Sequence, residues 1–278
     1  MKYVEVIFKF LPAFNADSDL FVASLTAIGY EGFMEEDNEL KAYIPENLFS
    51  ASAIYDLKMV NNNKKWIQIS HNYLEEKNWN AQWESDYKPV LINDCIVRAP
   101  FHEAPPYVNY DIVIEPKMSF GTGHHETTGM MIEMILGLDF ENKTVLDMGC
   151  GTAVLSILAS LKKADAVIAV DNDAWAYNNA VENCKKNNVK SCSVIKGSIN
   201  EMAGKKFDVI LANITRNILC AHLPYYETMQ NKGGILLISG FLKKDMEKMT
   251  AYAHKYNYDI LTELTKNNWA ALKLYKKQ

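Results

Sequence analysis

The strongest constraint on this chain is the stretch TVLDMGCGTAVLSILAS at residues 144 to 160. An apolar run ends on Asp147, Gly149, Cys150 and Gly151 follow, and apolar residues then recur at helical spacing, so the stretch reads as strand, tight turn and helix. Glycines let backbone approach a ligand closely, and the N-terminus of the following helix favours an anionic group. From about residue 95 the apolar segments CIVRA, DIVIE, TVLDM, AVIAV, SVIKG, FDVILAN and GILLIS appear in turn, with helical stretches between the later ones. Such alternation predicts a parallel sheet with helices on both faces. The last two strands, near 258 to 264 and 269 to 275, are too close for a helical crossover and are expected to pair antiparallel.

On glycines alone, any nucleotide could occupy this turn. A dinucleotide fingerprint needs a third glycine, and GCGTAV places Ala153 and Val154 where it should fall. Asp147 would repel a pyrophosphate but complements a cation such as the ammonium of an amino-acid moiety. Asp171, 22 residues after Gly149 at the tip of AVIAVDND, is positioned to accept hydrogen bonds from both hydroxyls of a ribose. Adenosine joined to an amino acid is the implied ligand, and S-adenosylmethionine satisfies these demands. The bland alternative is that each strand-end acid is a helix cap. FDVILANI ends on the same edge with Asn213, whose amide suits an incoming amine or, equally, a buried turn. MSFGTGHHETTGMM, residues 118 to 131, carries glycines, Phe120, Thr127 and Thr128 before a helix and suggests a lid. His124, His125 and Glu126 are consecutive, so they cannot converge on a metal as an i, i+4 pair does, and no metal is expected.

Upstream, residues 3 to 10 alternate as a strand, and residues 17 to 28 carry Phe21, Val22, Leu25 and Ile28 at helical spacing, with Asn15, Asp17 and Ser18 as candidate caps and Gly29 as a stop. Two short strands around EDNE, a second helix opened by Pro45 with Leu48, Ala51, Ile54 and Tyr55, and a strand at 65 to 71 complete a βαββαβ order. This predicts a ferredoxin-like domain over residues 1–71. A linker over 72–94 follows, in which Trp79, Trp83 and Tyr87 are expected to pack a hinge, and the ligand-binding domain covers 95–278. Residues 1 to 65 hold six Lys and ten Asp or Glu, a net of −4 within a chain of −5. Either these acids form a solvated surface or they select a basic partner. The negative balance speaks against direct nucleic-acid binding and anionic membranes. Five dispersed cysteines without a CxxC pair, no uncharged N-terminal core and no membrane-length apolar run lead us to expect a cytoplasmic protein.

Taken together, FGTGHHETT, VLDMGCGTAVLS, AVDND and LANI, behind a separate N-terminal domain and the WxxxWxxxYKP stretch at residues 79 to 89, resemble the ribosomal protein L11 methyltransferase family over essentially the whole chain. The resemblance implies an α/β architecture, a Rossmann-like seven-stranded methyltransferase domain preceded by a small ferredoxin-like α+β domain. It further implies methyl transfer from S-adenosylmethionine to lysine side-chain and N-terminal amino groups of ribosomal protein L11, by a chain expected to be a monomer. By the same resemblance Thr128, Gly149, Asp171 and Asn213 contact the methyl donor, Phe120 and Gly151 line the site, and we assign Asn213 to orient the amine. Ala153 departs from the family's DxGCGxG, which would set the helix slightly further from the donor. The short stretch EMAGKKFD lets no adenine-contacting residue be carried over. Two other readings stand at this level: a related methyltransferase acting on RNA or a small molecule, and a non-catalytic nucleotide-binding protein.

Overall fold

The computed structural model describes residues 2–11, 18–36, 38–74, 87–117 and 119–277. The chain divides into two compact units, Met1–Asp86 and Tyr87–Gln278.

In the first unit, β1 (Tyr3–Phe10) buries Val4, Val6, Phe8 and Phe10 on one face, as its alternation demands. With β2 (Gly32–Glu36), β3 (Glu39–Pro45) and β4 (Ile67–Leu74) it forms an antiparallel sheet ordered β2-β3-β1-β4. Helix α1 (Ser18–Thr26) covers that face with Phe21 and Leu25, and the Phe21 ring meets Phe10 edge-on at 5.1 Å. The other sheet face is polar, with Glu5 accepting from the Tyr43 hydroxyl at 3.0 Å and the Asn72 amide at 3.3 Å. The second helix differs from expectation. Pro45 closes β3 and precedes a 3-10 turn, Glu46–Leu48. Ser50 then caps α2 (Ala51–Asp56), and an extended Leu57 separates it from α3 (Lys58–Asn62). Ser50 Oγ accepts from Ala53 N–H, and a residue that makes this bond starts a helix instead of continuing one. Asn15, Asp17, Trp79 and Trp83 lie outside the described residues. Within the range read as linker, residues 72–74 extend β4, and β5 (Val90–Ile92) belongs to the second unit. Tyr87 packs there too, its ring 4.8 Å from His124 and stacked on His102.

The second unit opens with a small sheet, β5-β6-β7, that adds β6 (Cys95–Arg98) and β7 (Tyr110–Val113). CIVRA and DIVIE are therefore not strands of the main sheet. They pair with each other in parallel, and β6 pairs antiparallel with β5, in a sheet of their own. The main sheet has seven strands: β8 (Thr144–Met148), β9 (Ala166–Asp171), β10 (Cys192–Lys196), β11 (Phe207–Asn213), β12 (Gln230–Leu242), β13 (Tyr258–Lys266) and β14 (Trp269–Lys276). Their order is β10-β9-β8-β11-β12-β14-β13, with β14 antiparallel to both its neighbours and the remaining pairs parallel. Successive side chains alternate between two cores. Val145, Val209 and Leu211 pack with α4 (Glu126–Leu136), α5 (Val154–Leu161) and α6 (Ala174–Lys186), whereas Leu146, Ile210 and Ala212 pack with α7 (Arg216–Met229) and α8 (Met246–Lys255). Cover on both faces explains why these strands are apolar runs without alternation.

Leu211 is fully buried in the central strand β11 while Leu261 on the edge strand β13 is half exposed. Leu211→Ala is expected to destabilise the second unit by about 3 kcal/mol and Leu261→Ala by under about 0.5 kcal/mol, read as shifts in urea unfolding midpoint. Equal shifts would contradict the layering.

Candidate functional site

The parallel strands β8 to β11 end on one edge, and a cavity of about 560 Å³ opens there. Each strand contributes to its wall: Gly149 and Gly151 after β8, Asp171 at the end of β9, Gly197 and Ser198 after β10, and Asn213 at the end of β11. This is where open α/β sheets bind ligands, because the crossover helices diverge there and their N-termini point at the edge.

The glycine turn is held from both sides. Gly149 and Cys150 donate to the Val170 carbonyl at 2.8 and 3.1 Å, and Gly151 donates to the Asp171 carboxylate at 2.9 Å. A Cβ on Gly149 would overlap the Ile214 side chain, and one on Gly151, where φ is +54°, would overlap the Phe120 carbonyl oxygen. That same carbonyl accepts from Thr152 N–H at 2.9 Å, while Thr152 Oγ1 donates to the Gly121 carbonyl at 2.6 Å. The segment read as a lid is thus tied to the turn, and its exposed Phe120 ring forms part of the cavity wall.

The two acids that looked alike in sequence have different work. Ala153, the residue before α5, sits at φ +64° and has no side chain with which to cap the helix. Asp147 does so from the preceding strand, accepting from Ser156 N–H at 3.2 Å and Ser156 Oγ at 2.5 Å. Asp147 is buried, does not line the cavity, and its carboxyl group satisfies the α5 N-terminus. Burial pushes its pKa up to about 7, against the lowering effect of the Ser156 hydrogen bonds and with a further rise from Asp171. For Asp171 the cap reading fails, because Asp173 caps α6 by accepting from Trp175 and Ala176 N–H at 2.8 and 2.9 Å. Asp171 takes one backbone donor on each oxygen, Gly151 on Oδ2 and Asp173 on Oδ1, and a carboxylate oxygen retains a second lone pair for a ligand hydroxyl.

Asn213 carries an unsatisfied group. Its Nδ2 reaches Thr128 Oγ1 only at 3.5 Å, and its Oδ1 is buried with no partner among the described residues. Such an acceptor costs roughly 1 to 3 kcal/mol unless a ligand donates to it. Thr128 itself is buried on α4, beside Asn213 and outside the cavity wall of the ligand-free chain. The histidines face elsewhere: His125 Nδ1 caps α4 by accepting from Thr127 N–H, and His124 Nε2 lies 2.9 Å from the Lys88 carbonyl. Gly197, Ser198 and His222 line the cavity and were missed in the sequence. The first two follow an apolar strand to the same edge and could have been found by that signal. His222, midway along α7, is unmarked by any local pattern.

A family profile described as "Ribosomal protein L11 methyltransferase (PrmA)" matches residues 15–277. A relative of that name from Phocaeicola vulgatus is 40% identical over 283 aligned residues, covering all of both chains. Another, from Porphyromonas gingivalis, is 40% identical and covers 92% of this chain and 89% of its own. A solved structure described as ribosomal protein L11 methylase from Lactobacillus delbrueckii subsp. bulgaricus superposes with TM-score 0.65 at 24% identity, covering 69% of this chain and 100% of that one, which bears on fold alone. The glycine turn, the cavity-lining Asp171 and the unsatisfied Asn213 stand on that fold, and the chain belongs to the ribosomal protein L11 methyltransferase family.

Proposed function

We propose that this protein transfers methyl groups from S-adenosylmethionine to lysine side-chain and N-terminal amino groups of ribosomal protein L11. The observation that carries the reading is Asn213 Oδ1, a buried acceptor without a partner on a residue of the cavity wall. The residues fit the methyl donor. Asp171 would hold the ribose hydroxyls, the Gly149–Gly151 turn admits a ligand close to backbone, and Phe120 offers an aromatic face. When bound, S-adenosylmethionine supplies an electrophilic methyl on a sulfonium.

The chain's own part is alignment. Asn213 Oδ1 would accept an N–H of the incoming amine and turn the nitrogen lone pair toward the methyl. Attack requires the neutral amine, and a lysine near pKa 10.4 loses its proton more readily once desolvated. His124 and His125 are engaged in local caps and loop contacts, and we assign no general base. Alignment of this kind supplies ~7 kcal/mol or more of rate enhancement. The acidic first unit, net −4 over residues 1 to 65, would choose a basic substrate.

Incubation with labelled S-adenosylmethionine and purified L11 is expected to label lysine and α-amino nitrogens; an unlabelled L11 would overturn the reading. Asn213→Ala should lower kcat about 100-fold. Asp171→Ala should weaken S-adenosylhomocysteine binding at least ~10-fold in calorimetry, since two hydrogen bonds to a charged group are lost, while the protein stays folded. Unchanged affinity would refute the ribose assignment. Asp147 generates a pH prediction. Its native pKa of about 7 exceeds the unfolded value near 3.8, so the native state holds the proton longer. Its contribution to stability is full below pH ~4 and is lost as pH rises to about 7, by about 4 kcal/mol. Asp147→Asn should flatten that decline in urea titrations across this range, and a parallel decline in both proteins would contradict it.

A further inference from the structure

Asp171 ends β9, the glycine turn follows β8 and Asn213 ends β11, whereas β10 lies beyond β9 at the sheet edge. With the ribose on Asp171 and the amino-acid part over β8 and β11, the base is left to the side of β10. That end of the cavity is bounded by Gly197, Ser198, Ile218 and His222. Helix α7, which carries His222, packs against the 3-10 turn Ile199–Met202 that Ser198 caps, so the two walls face one space. Ser198 is committed within its own turn: its hydroxyl donates to Glu201 at 2.8 Å and its N–H donates to the same carboxylate at 2.6 Å. His222 is half committed. Nδ1 lies 3.2 Å from the Tyr226 hydroxyl, and Nε2 has no partner among the described residues.

The Tyr226 pairing decides which nitrogen bears the proton. Tyr226 is fully buried, and His222 is the one partner of its hydroxyl among the described residues. A phenol donates one proton, and stranding it in the core disfavours the alternative tautomer roughly tenfold. Tyr226 therefore donates to Nδ1, and the proton of the neutral ring sits on Nε2. Burial keeps the ring neutral by holding its pKa below the ordinary histidine value. We propose that His222 is a specificity-determining residue whose Nε2–H donates to a ring nitrogen of the adenine, with Tyr226 as the positioning residue that fixes the tautomer. This rests on the methyl-donor reading above.

The test uses the full chain and S-adenosylhomocysteine with its 1-deaza, 3-deaza and 7-deaza adenine analogues, each binding followed by calorimetry. One analogue is expected to bind the wild-type protein about 5-fold more weakly than the parent, and His222→Phe should abolish that difference while still unfolding cooperatively, at a midpoint lowered by the stranded Tyr226 hydroxyl. His222→Gln, which restores an N–H donor, should recover part of it. Nitrogen-15 NMR of His222 should show Nε2 protonated in the wild type and a mixture of tautomers in Tyr226→Phe. Identical analogue ratios in wild type and His222→Phe, or a proton on Nδ1, would overturn the proposal while leaving the methyl donor in place. Failure of every adenosyl ligand to bind wild type would overturn the methyl-donor reading and this proposal together.

Discussion

The site depends on a close approach of two backbones at Gly151. The Phe120 carbonyl occupies the space a Cβ would need, and from there it accepts the Thr152 N–H that follows the turn. On the other side the Gly151 N–H reaches Asp171. One residue without a side chain thus joins the segment before α4, the turn after β8 and the acid at the end of β9. These three pieces form one side of the cavity wall, joined by the Thr152 to Phe120 main-chain bond and by the Asp171 carboxylate on the Gly151 N–H.

Ala153 shows how this junction is maintained under strain. A left-handed conformation costs an L-residue about 1 to 2 kcal/mol, yet Ala153 adopts it so that α5 can begin immediately beneath the turn. The helix loses its own cap in the process, and Asp147 compensates from the strand through Ser156. A carboxylate buried in this way carries a raised pKa. The electrostatic penalty lies beneath the cavity wall, and of these two acids Asp171 is the one that lines the cavity.

Much of the fold was legible because its signals are local. The apolar strands, the glycine turn and the antiparallel final pair follow from periodicity and spacing between neighbours in sequence. CIVRA and DIVIE were misplaced because composition marks a strand without naming its partner. Apolar spacing from Leu48 to Tyr55 implies one continuous helix in the first unit, while the break rests on the Ser50 side chain bonding locally. In the site, Asp171 and Asn213 were readable as strand-end polar residues. The place of Thr128, buried on α4 beside Asn213, comes from helix packing that no local pattern marks.

The sequence by itself determined the two-unit organisation of elements, the edge at which the cavity opens and the family to which the chain belongs, since each is written in short-range pattern. Only the tertiary structure decided which of two similar acids faces the cavity. Asp147 and Asp171 both end apolar strands, and what separates them is whether the following helix has a cap of its own: Asp173 frees Asp171, and Ala153 binds Asp147 to α5. The fate of His222 was settled the same way. A histidine within a helix reads as nothing until packing seats α7 against the turn after β10 and leaves one ring nitrogen without a partner.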